Sequence, residues 1–360
     1  MLRTAKYLAK LAGCSLAYQV RLLCVESTAY FLRLILSTVR STKEGHRNML
    51  YSGVIPLLLA LLLDLVLGDP PNRYHPVAWM GAVIGMTRRL APRRHHWLAL
   101  LYGAAVVVGG VMVVSIIGIV MEALVQLLPL PWYWLAEACV LKTTFALRGL
   151  IQAAQQVQVA LAAGALERAR QLVSWHLVSR DTAMLTPSQV AAATVESVAE
   201  NASDGIIAPL LFYALGGLPA AWAYRFINTA DAMLGYRDPE REWLGKIPAR
   251  LDDLVNLVPA RLTAGLLLLA TWLLGGPIRR ALMVWWHDAG QTASPNAGRP
   301  MSVMAGALGV ELKKVGYYCL GAGHALPAAQ DIPAAIRLLA WTVAMAVGLL
   351  VIVQMLLSLL

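Results

Sequence analysis

Residues 194–217, TVESVAENASDGIIAPLLFYALGG, decide how this chain is read. The first half sets Glu196, Glu200 and Asp204 at i, i+4 and i+8, so a helix through them carries three carboxylates on one face. From Ile206 onward the stretch is apolar, and it ends on Gly216-Gly217 with Pro219 just beyond. Like charges stacked along a helix are destabilising unless a cation joins them. A solvated acidic face is the plain alternative, and the direct run into an apolar segment weakens it. Charges set against long apolar segments are costly and by default mark function.

The rest of the chain is lipid-soluble in character. Of 360 residues, 59% are hydrophobic and 14% are charged, outside the usual range of a soluble domain. Apolar stretches near or above the roughly 20 residues needed to cross a bilayer cover 54–67, 97–128 and 334–360. Shorter or interrupted ones cover 131–147, 206–224 and 262–278. The expected fold class is all-α: a polytopic integral membrane helical protein with re-entrant or broken helices and interfacial helices. Breaks fall at Gly216-Gly217-Leu218-Pro219 and at Gly275-Gly276-Pro277. Broken helices are tolerated at membrane depth where they are buried in protein or line a cavity. Folded as hairpins, the two segments would bring their polar flanks out on one side; a kinked single crossing is the alternative for each. Residues 148–204, rich in Gln and Ala, hold no spanning run and read as water-exposed or interfacial helices. The aromatic run Trp132, Tyr133 and Trp134 suits an interfacial belt, and the returning segment ends at Lys142–Arg148.

Charge is uneven. The net charge is +10, and residues 1–49 hold eight Lys or Arg against two acidic residues. A second basic cluster is Arg88, Arg89, Arg93 and Arg94. Both suit a cytoplasmic face and anionic headgroups, and neither reads as nucleic-acid binding. Residues 1–49 are taken as a basic N-terminal extension, an interfacial helix or an incidental addition, and 50–360 as the membrane catalytic domain. A signal peptide fits poorly, for want of a short apolar core and a small-residue cleavage site. Cys14, Cys24, Cys139 and Cys319 are too scattered for a disulfide frame or a zinc site.

Two further polar blocks follow the first. Asn228 and Asp231 share a helical face, with Arg225 one turn earlier. Arg250, Asp252, Asp253 and Asn256 lie just before Arg261, so carboxylates and guanidinium groups alternate. Such sets supply metal ligands and phosphate clamps, or else interfacial ion pairs. The Pro-rich loop after Leu67 carries Asp69, Arg73 and His75; Arg180 precedes the acidic helix, and Asn296 sits in a rigid polar turn read over 294–300, SPNAGRP. His75 reads equally as a proton shuttle or as an ordinary loop histidine. No Walker A motif is present and no G-x-G-x-x-G follows a strand, so any nucleotide is held by other means.

At these blocks the chain closely resembles the adenosylcobinamide-phosphate synthase family of cobalamin biosynthesis, CbiB/CobD. The stretches that carry the likeness are LDLVLGDPPNRYHPVAWMG (63–81), SRDT (179–182), the opening stretch, YRFINTADAMLGYRD (224–238), ARLDDLVNLVPARLTA (249–264) and SPNAGRPMSVMAGALGV (294–310). Many relatives approach the Ser-Pro-Asn turn through basic and His-Pro residues, where this chain has Gln291-Thr292-Ala293. The family usually begins near the position of Met49. The resemblance implies an ATP- and Mg²⁺-dependent amide ligase joining (R)-1-amino-2-propanol phosphate, or a related amino alcohol, to adenosylcobyric acid. It further implies a multi-pass protein of the cell inner membrane with its site facing the cytoplasm.

On that reading Asp69, His75, Glu196, Glu200 and Asp204 are the catalytic candidates. Glu196, Glu200, Asp204, Asp231, Asp252 and Asp253 are the Mg²⁺ candidates. Arg73, Arg180, Asn201, Arg225, Asn228, Arg250, Arg261 and Asn296 would hold substrate or phosphate. Expected partners are adenosylcobyric acid, the amino-alcohol phosphate, ATP and membrane lipid, with a homo-oligomer or association with other cobalamin-assembly enzymes also open. The competing readings are a membrane Mg²⁺-dependent phosphate-group or prenyl transferase, and a transporter. A transporter should hold its substrate near mid-membrane, whereas the polar blocks here fall at segment ends.

Overall fold

The computed structural model describes residues 53–92, 95–236, 238 and 241–359. The extension 1–49, and the interfacial helix weighed for it, fall outside the described residues. Thirteen helices and one two-stranded hairpin follow among those described. In order they are α1 (Val54–Leu67), α2 (Pro76–Arg89), α3 (His96–Gln126), α4 (Trp132–Lys142), α5 (Leu147–Ala162), α6 (Leu166–His176) and α7 (Pro187–Asn201). A π-helical turn, Ala202–Ile207, leads into α8 (Ala208–Leu234). Then come α9 (Lys246–Val255), α10 (Leu257–Leu273), α11 (Ile278–Asp288), α12 (Gly298–Leu308), β1 (Leu312–Lys314), β2 (Tyr318–Leu320) and α13 (Asp331–Leu359). The chain is an all-α polytopic membrane protein. His96–Gln126, Pro187–Leu234 and Asp331–Ser358 are long and apolar enough to cross a bilayer, and α9 with α10 adds a fourth such stretch bent by 47°.

Helix α3 shows how the apolar sequence is used. Leu101, Val108, Met112, Ile116 and Val120 form an exposed apolar face, the surface that lipid covers in a spanning helix. Its other side meets α8 through small residues: Gly110 lies against the Phe226 ring, and a Cβ on Gly118 would stand 2.7 Å from Pro219 Cα. Gly103 meets the Leu244 carbonyl in the same way, so α3 and the second half of α8 run antiparallel.

The stretch Pro187–Leu234 is not one straight rod. Helix α8 breaks at Gly216 and Gly217, where Gly217 has φ 65 and ψ −159, a conformation open in practice only to glycine. Beyond the break the chain returns along its own first limb. Phe212 stacks on Tyr224 with ring centroids 5.0 Å apart, and the Tyr224 hydroxyl lies 2.9 Å from the Asp204 carbonyl. In an unbroken helix residues 204 and 224 would be about 30 Å apart. The second interrupted segment also returns: α10 and α11 are joined at Gly275, and beyond α11 the Ser294 hydroxyl donates to Asp253 at 2.9 Å. Both hairpins therefore form. Gly217→Ala should lower stability by about 1–3 kcal/mol, the range for backbone held in such a region. Its Cβ would also sit 2.9 Å from Glu122 Oε1. Thermal unfolding in detergent measures the loss, and an unchanged midpoint would contradict this account of the turn.

One expectation is corrected. Helices α5 and α6 are two-faced and partly exposed as expected, but α7 is central: every residue from Val190 to Ala199 is buried. Ala191, Ala192, Ala193, Thr194, Ser197 and Ala199 are small, so α5, α12 and α13 close around it. Small residues score low on apolar scales, which makes a tightly packed central helix resemble a surface one. Its start does follow the sequence, with Thr186 and Gln189 forming a capping box and Pro187 in the first turn. Another correction is minor: Gly298, Arg299 and Pro300 begin α12 and are not part of the preceding turn.

Candidate active site

The polar blocks meet where helices break. Tyr224 and Arg225 on the returning limb of α8 face the π-helical turn on one side and the α9–α10 junction on the other. The Tyr224 hydroxyl is 2.9 Å from Asn256 Oδ1 as well as from the Asp204 carbonyl. Arg225 Nη1 donates to Asn228 Oδ1 at 3.2 Å, and Asn228 Nδ2 donates to Asp252 Oδ1 at 3.3 Å. Arg225 lies within electrostatic reach of Asp69, Asp204 and Asp252, and its buried Nε has no hydrogen-bond partner. Phe226, the next residue, packs at Gly110, half way along α3. Arg225 thus stands level with the middle of the longest apolar helix.

From this centre the acidic face of α7 leads outward. Asp204 is in electrostatic reach of Asp252, Glu200 and Asp231, although the π-turn takes it off the straight α-helical stripe that the spacing predicts. Such π-turns recur at functional positions. Glu196 Oε2 pairs with Arg180 Nη2 at 3.3 Å, and Glu196 Oε1 is buried without a partner. The β-hairpin closes the outer end: Lys314 faces Glu196 and Glu200, and in register opposite it Tyr318 faces the same two acids. Burial first, then these carboxylates, push the Tyr318 phenol well above its ordinary pKa.

A third group lies at the break between α1 and α2. Lys142 Nζ donates to Asp69 Oδ1 and stands 3.6 Å from Asp64 Oδ1. His75 Nε2 is 3.9 Å from Asp69 Oδ1, while His75 Nδ1 accepts the Val77 N–H at 3.2 Å and so caps α2. Pro76 at the first helical position offers no N–H of its own, and the cap engages the donor that follows. His75 Nδ1 is thus committed to the cap of α2, while Nε2 faces Asp69 at 3.9 Å, too far for a hydrogen bond.

Other predicted residues stand apart from the centre. Arg73 stacks on Tyr74 at 4.5 Å in the exposed loop. Asn201 turns its amide back onto Ser197, donating to the carbonyl at 2.9 Å and the hydroxyl at 3.1 Å. Asn296 is buried as a staple, its Nδ2 donating to the Asp253 carbonyl at 2.6 Å and its Oδ1 accepting from Arg261 at 3.3 Å. Arg250 sits at the rim, exposed and 3.9 Å from Asp253. Sequence reasoning missed Lys142, Lys314, Tyr318 and Tyr224. A lone lysine at the end of the apolar run of α4 was the available signal for the first.

The six candidate Mg²⁺ ligands offer hard oxygen donors, and Glu196 keeps a buried carboxylate oxygen uncommitted. Among the described residues no three His, Cys, Asp or Glu side chains are gathered closely enough to hold an ion. Mg²⁺ usually takes only one or two protein carboxylates, with substrate phosphates and water completing its shell.

Comparison with known proteins gives a consistent answer. The family model described as CobD/CbiB protein matches residues 57–347. A protein of Klebsiella pneumoniae named cobalamin biosynthesis protein CobD is 44% identical over 261 residues, covering 71% of this chain and 80% of its own length. One of the same name from Yersinia enterocolitica is 40% identical, covering 78% of this chain and 91% of its own length. A Salmonella typhi protein named cobalamin biosynthesis protein CbiB is 39% identical, covering 72% and 82% respectively. No solved structure matches the chain.

Proposed function

The chain belongs to the CobD/CbiB family of cobalamin biosynthesis, and from that premise we propose that it is adenosylcobinamide-phosphate synthase. It would be an ATP- and Mg²⁺-dependent ligase forming an amide between adenosylcobyric acid and (R)-1-amino-2-propanol phosphate or a related amino alcohol. The observation that carries this reading is the half-buried Arg225, whose buried Nε is uncommitted and which lies within electrostatic reach of Asp69, Asp204 and Asp252. A carboxylate, a phosphorylated amine and ATP are all anionic. A site for them needs fixed cations together with carboxylates that can share a metal.

The chemistry follows from the poor reactivity of a carboxylate. Its oxygen attacks the γ-phosphorus of ATP, ADP leaves, and an acyl phosphate remains. The amine nitrogen then attacks the acyl carbon, the C–O bond breaks, and inorganic phosphate departs as the amide forms. Arg225 would hold phosphate at the centre, with Arg180 and Lys314 nearer the opening. Glu200, Asp204, Asp231 and Asp252 would hold Mg²⁺, whose charge offsets that developing on the transferred phosphoryl group. Asp69 would pair with the ammonium group of the amino alcohol. Its side chain is 33% exposed, so it can pass to water the proton that the nitrogen must lose.

The site would open to the cytoplasm across the inner membrane. Arg88 and Arg89 end α2 beside the start of α3, where the Tyr102 hydroxyl donates to the Thr87 carbonyl at 2.9 Å. Leu244, which leads toward α9, packs at that same end of α3. Basic clusters of this kind favour the cytoplasmic side, where ATP is available.

Purified protein given adenosylcobyric acid, the amino-alcohol phosphate, ATP and Mg²⁺ should yield adenosylcobinamide phosphate and ADP in equal amounts. Release of pyrophosphate or a nucleoside monophosphate would favour a transferase, and substrate uptake into vesicles with no amide formed would favour a transporter. Either result overturns the ligase reading. Removal of residues 1–48 should leave turnover within about threefold, since every polar group placed in the site lies after residue 49 and changes remote from a site are usually small. An inserted, folded truncation that cannot turn over would contradict this.

A further inference from the structure

Lys142, the last residue of α4, is 6% exposed. It joins two breaks in the chain, the loop between α1 and α2 and the short link between α4 and α5. Its Nζ bridges Asp69 and Asp64. Asp64 Oδ2 in turn accepts the Arg148 N–H at 2.8 Å in the first turn of α5. The Arg148 guanidinium donates back to the carbonyls of Leu65, at 3.0 Å, and Val66. A buried ion pair of this kind is weak evidence for stability, because apolar replacements often stabilise a fold as well or better. A role in orientation explains it better. Asp69 lies between Gly68 and Pro70 on a loop; His75 stands a long 3.9 Å away, and a Cβ on Gly149 would come 3.1 Å from its Oδ2.

We propose that Lys142 is a positioning residue for amide formation: by spanning Asp64 and Asp69 it fixes the Asp69 carboxylate between His75 and Arg225, where the substrate ammonium is received. The inference rests on the ligase reading and on the role given there to Asp69. Misplacing a reacting group by about 1 Å costs about 100-fold in rate, and without Nζ the Asp69 side chain is free to move that far.

The test is a double-mutant cycle in the full-length protein, assayed with wild type in parallel. Lys142→Met should lower kcat for amide formation about 100-fold, with KM for ATP changed less than about threefold. In an Asp69→Asn background the same substitution should cost less than about threefold, because residues that act as one unit are not additive. Lys142→Arg, which keeps the charge, should recover at least about a tenth of the wild-type rate; Lys142→Gln takes the place of Lys142→Met in the cycle if the latter does not fold. Losses of equal size in both backgrounds, or a parallel loss of ATP affinity, would mean that Lys142 merely supports the fold and would overturn the inference alone. A wild type that forms no amide with ATP would overturn the ligase reading and this inference with it.

Discussion

Asp252→Asn should lower ATP-dependent amide formation by about two to three orders of magnitude, the loss that follows removal of one preorganised electrostatic group. Asp252 is only 8% exposed, accepts a hydrogen bond from Asn228, and faces Asp204 across the α9–α10 junction. Asparagine keeps the shape and an oxygen acceptor for Asn228 but removes the charge that would share Mg²⁺. Membrane insertion and thermal midpoint should therefore change little while turnover falls. Glu200→Gln and Asp204→Asn should behave alike, because their carboxylates crowd the same junction. An unpaired charge in that setting would cost several kcal/mol or take up a proton, and a bound cation would offset the mutual repulsion of three acids that lie within electrostatic reach of one another. Near-normal turnover in Asp252→Asn, or unchanged Mg²⁺ dependence in all three variants, would show that the acids serve the fold.

Arg225→Met should be at least as damaging, with turnover down by about three orders of magnitude. Arg225 is the cation placed among Asp69, Asp204 and Asp252, with Nη1 on Asn228 and Nε uncommitted. Guanidinium holds phosphate through a planar pair of donors that lysine cannot copy. Arg225→Lys should accordingly recover less than about a tenth of the activity, although it restores the charge. Recovery close to wild type with lysine would mean that charge alone matters and that no paired contact to phosphate is made. Methionine fills much of the space of the arginine stem, so a folded but inactive protein is the expected state, checked by size-exclusion and thermal melting.

Much of this arrangement was legible in the amino acids. The long apolar runs of α3 and α13 announced themselves by length, and Gly216-Gly217 marked the reversal in α8. Asp252, Asp204 and Arg225 stood out because charge in an apolar chain is rarely incidental. The sequence was less informative about α7. Its alanines and hydroxyl residues look like a mild surface helix, yet close packing makes it the centre of the domain. The β-hairpin was invisible as well: Leu312–Lys314 and Tyr318–Leu320 are too short to show a period, and their place over Glu196 depends on α7 being buried beneath them.

By itself the sequence determined what depends on local pattern and on cost: helices of spanning length, the positions of their breaks, and the residue types that cannot lie idle in an apolar chain. Tertiary structure alone decided which of those residues meet. Arg225 reaches Asp69 because α8 folds back on itself, and Lys142 reaches Asp69 across more than seventy residues because α4 ends beside the break after α1. His75 and Asn296 kept their places near the site, but His75 Nδ1 is committed to the cap of α2 and Asn296 Nδ2 to the Asp253 carbonyl. Periodicity along a chain reports which face a side chain takes. Which partner it finds there depends on long-range packing, and no local spacing encodes it.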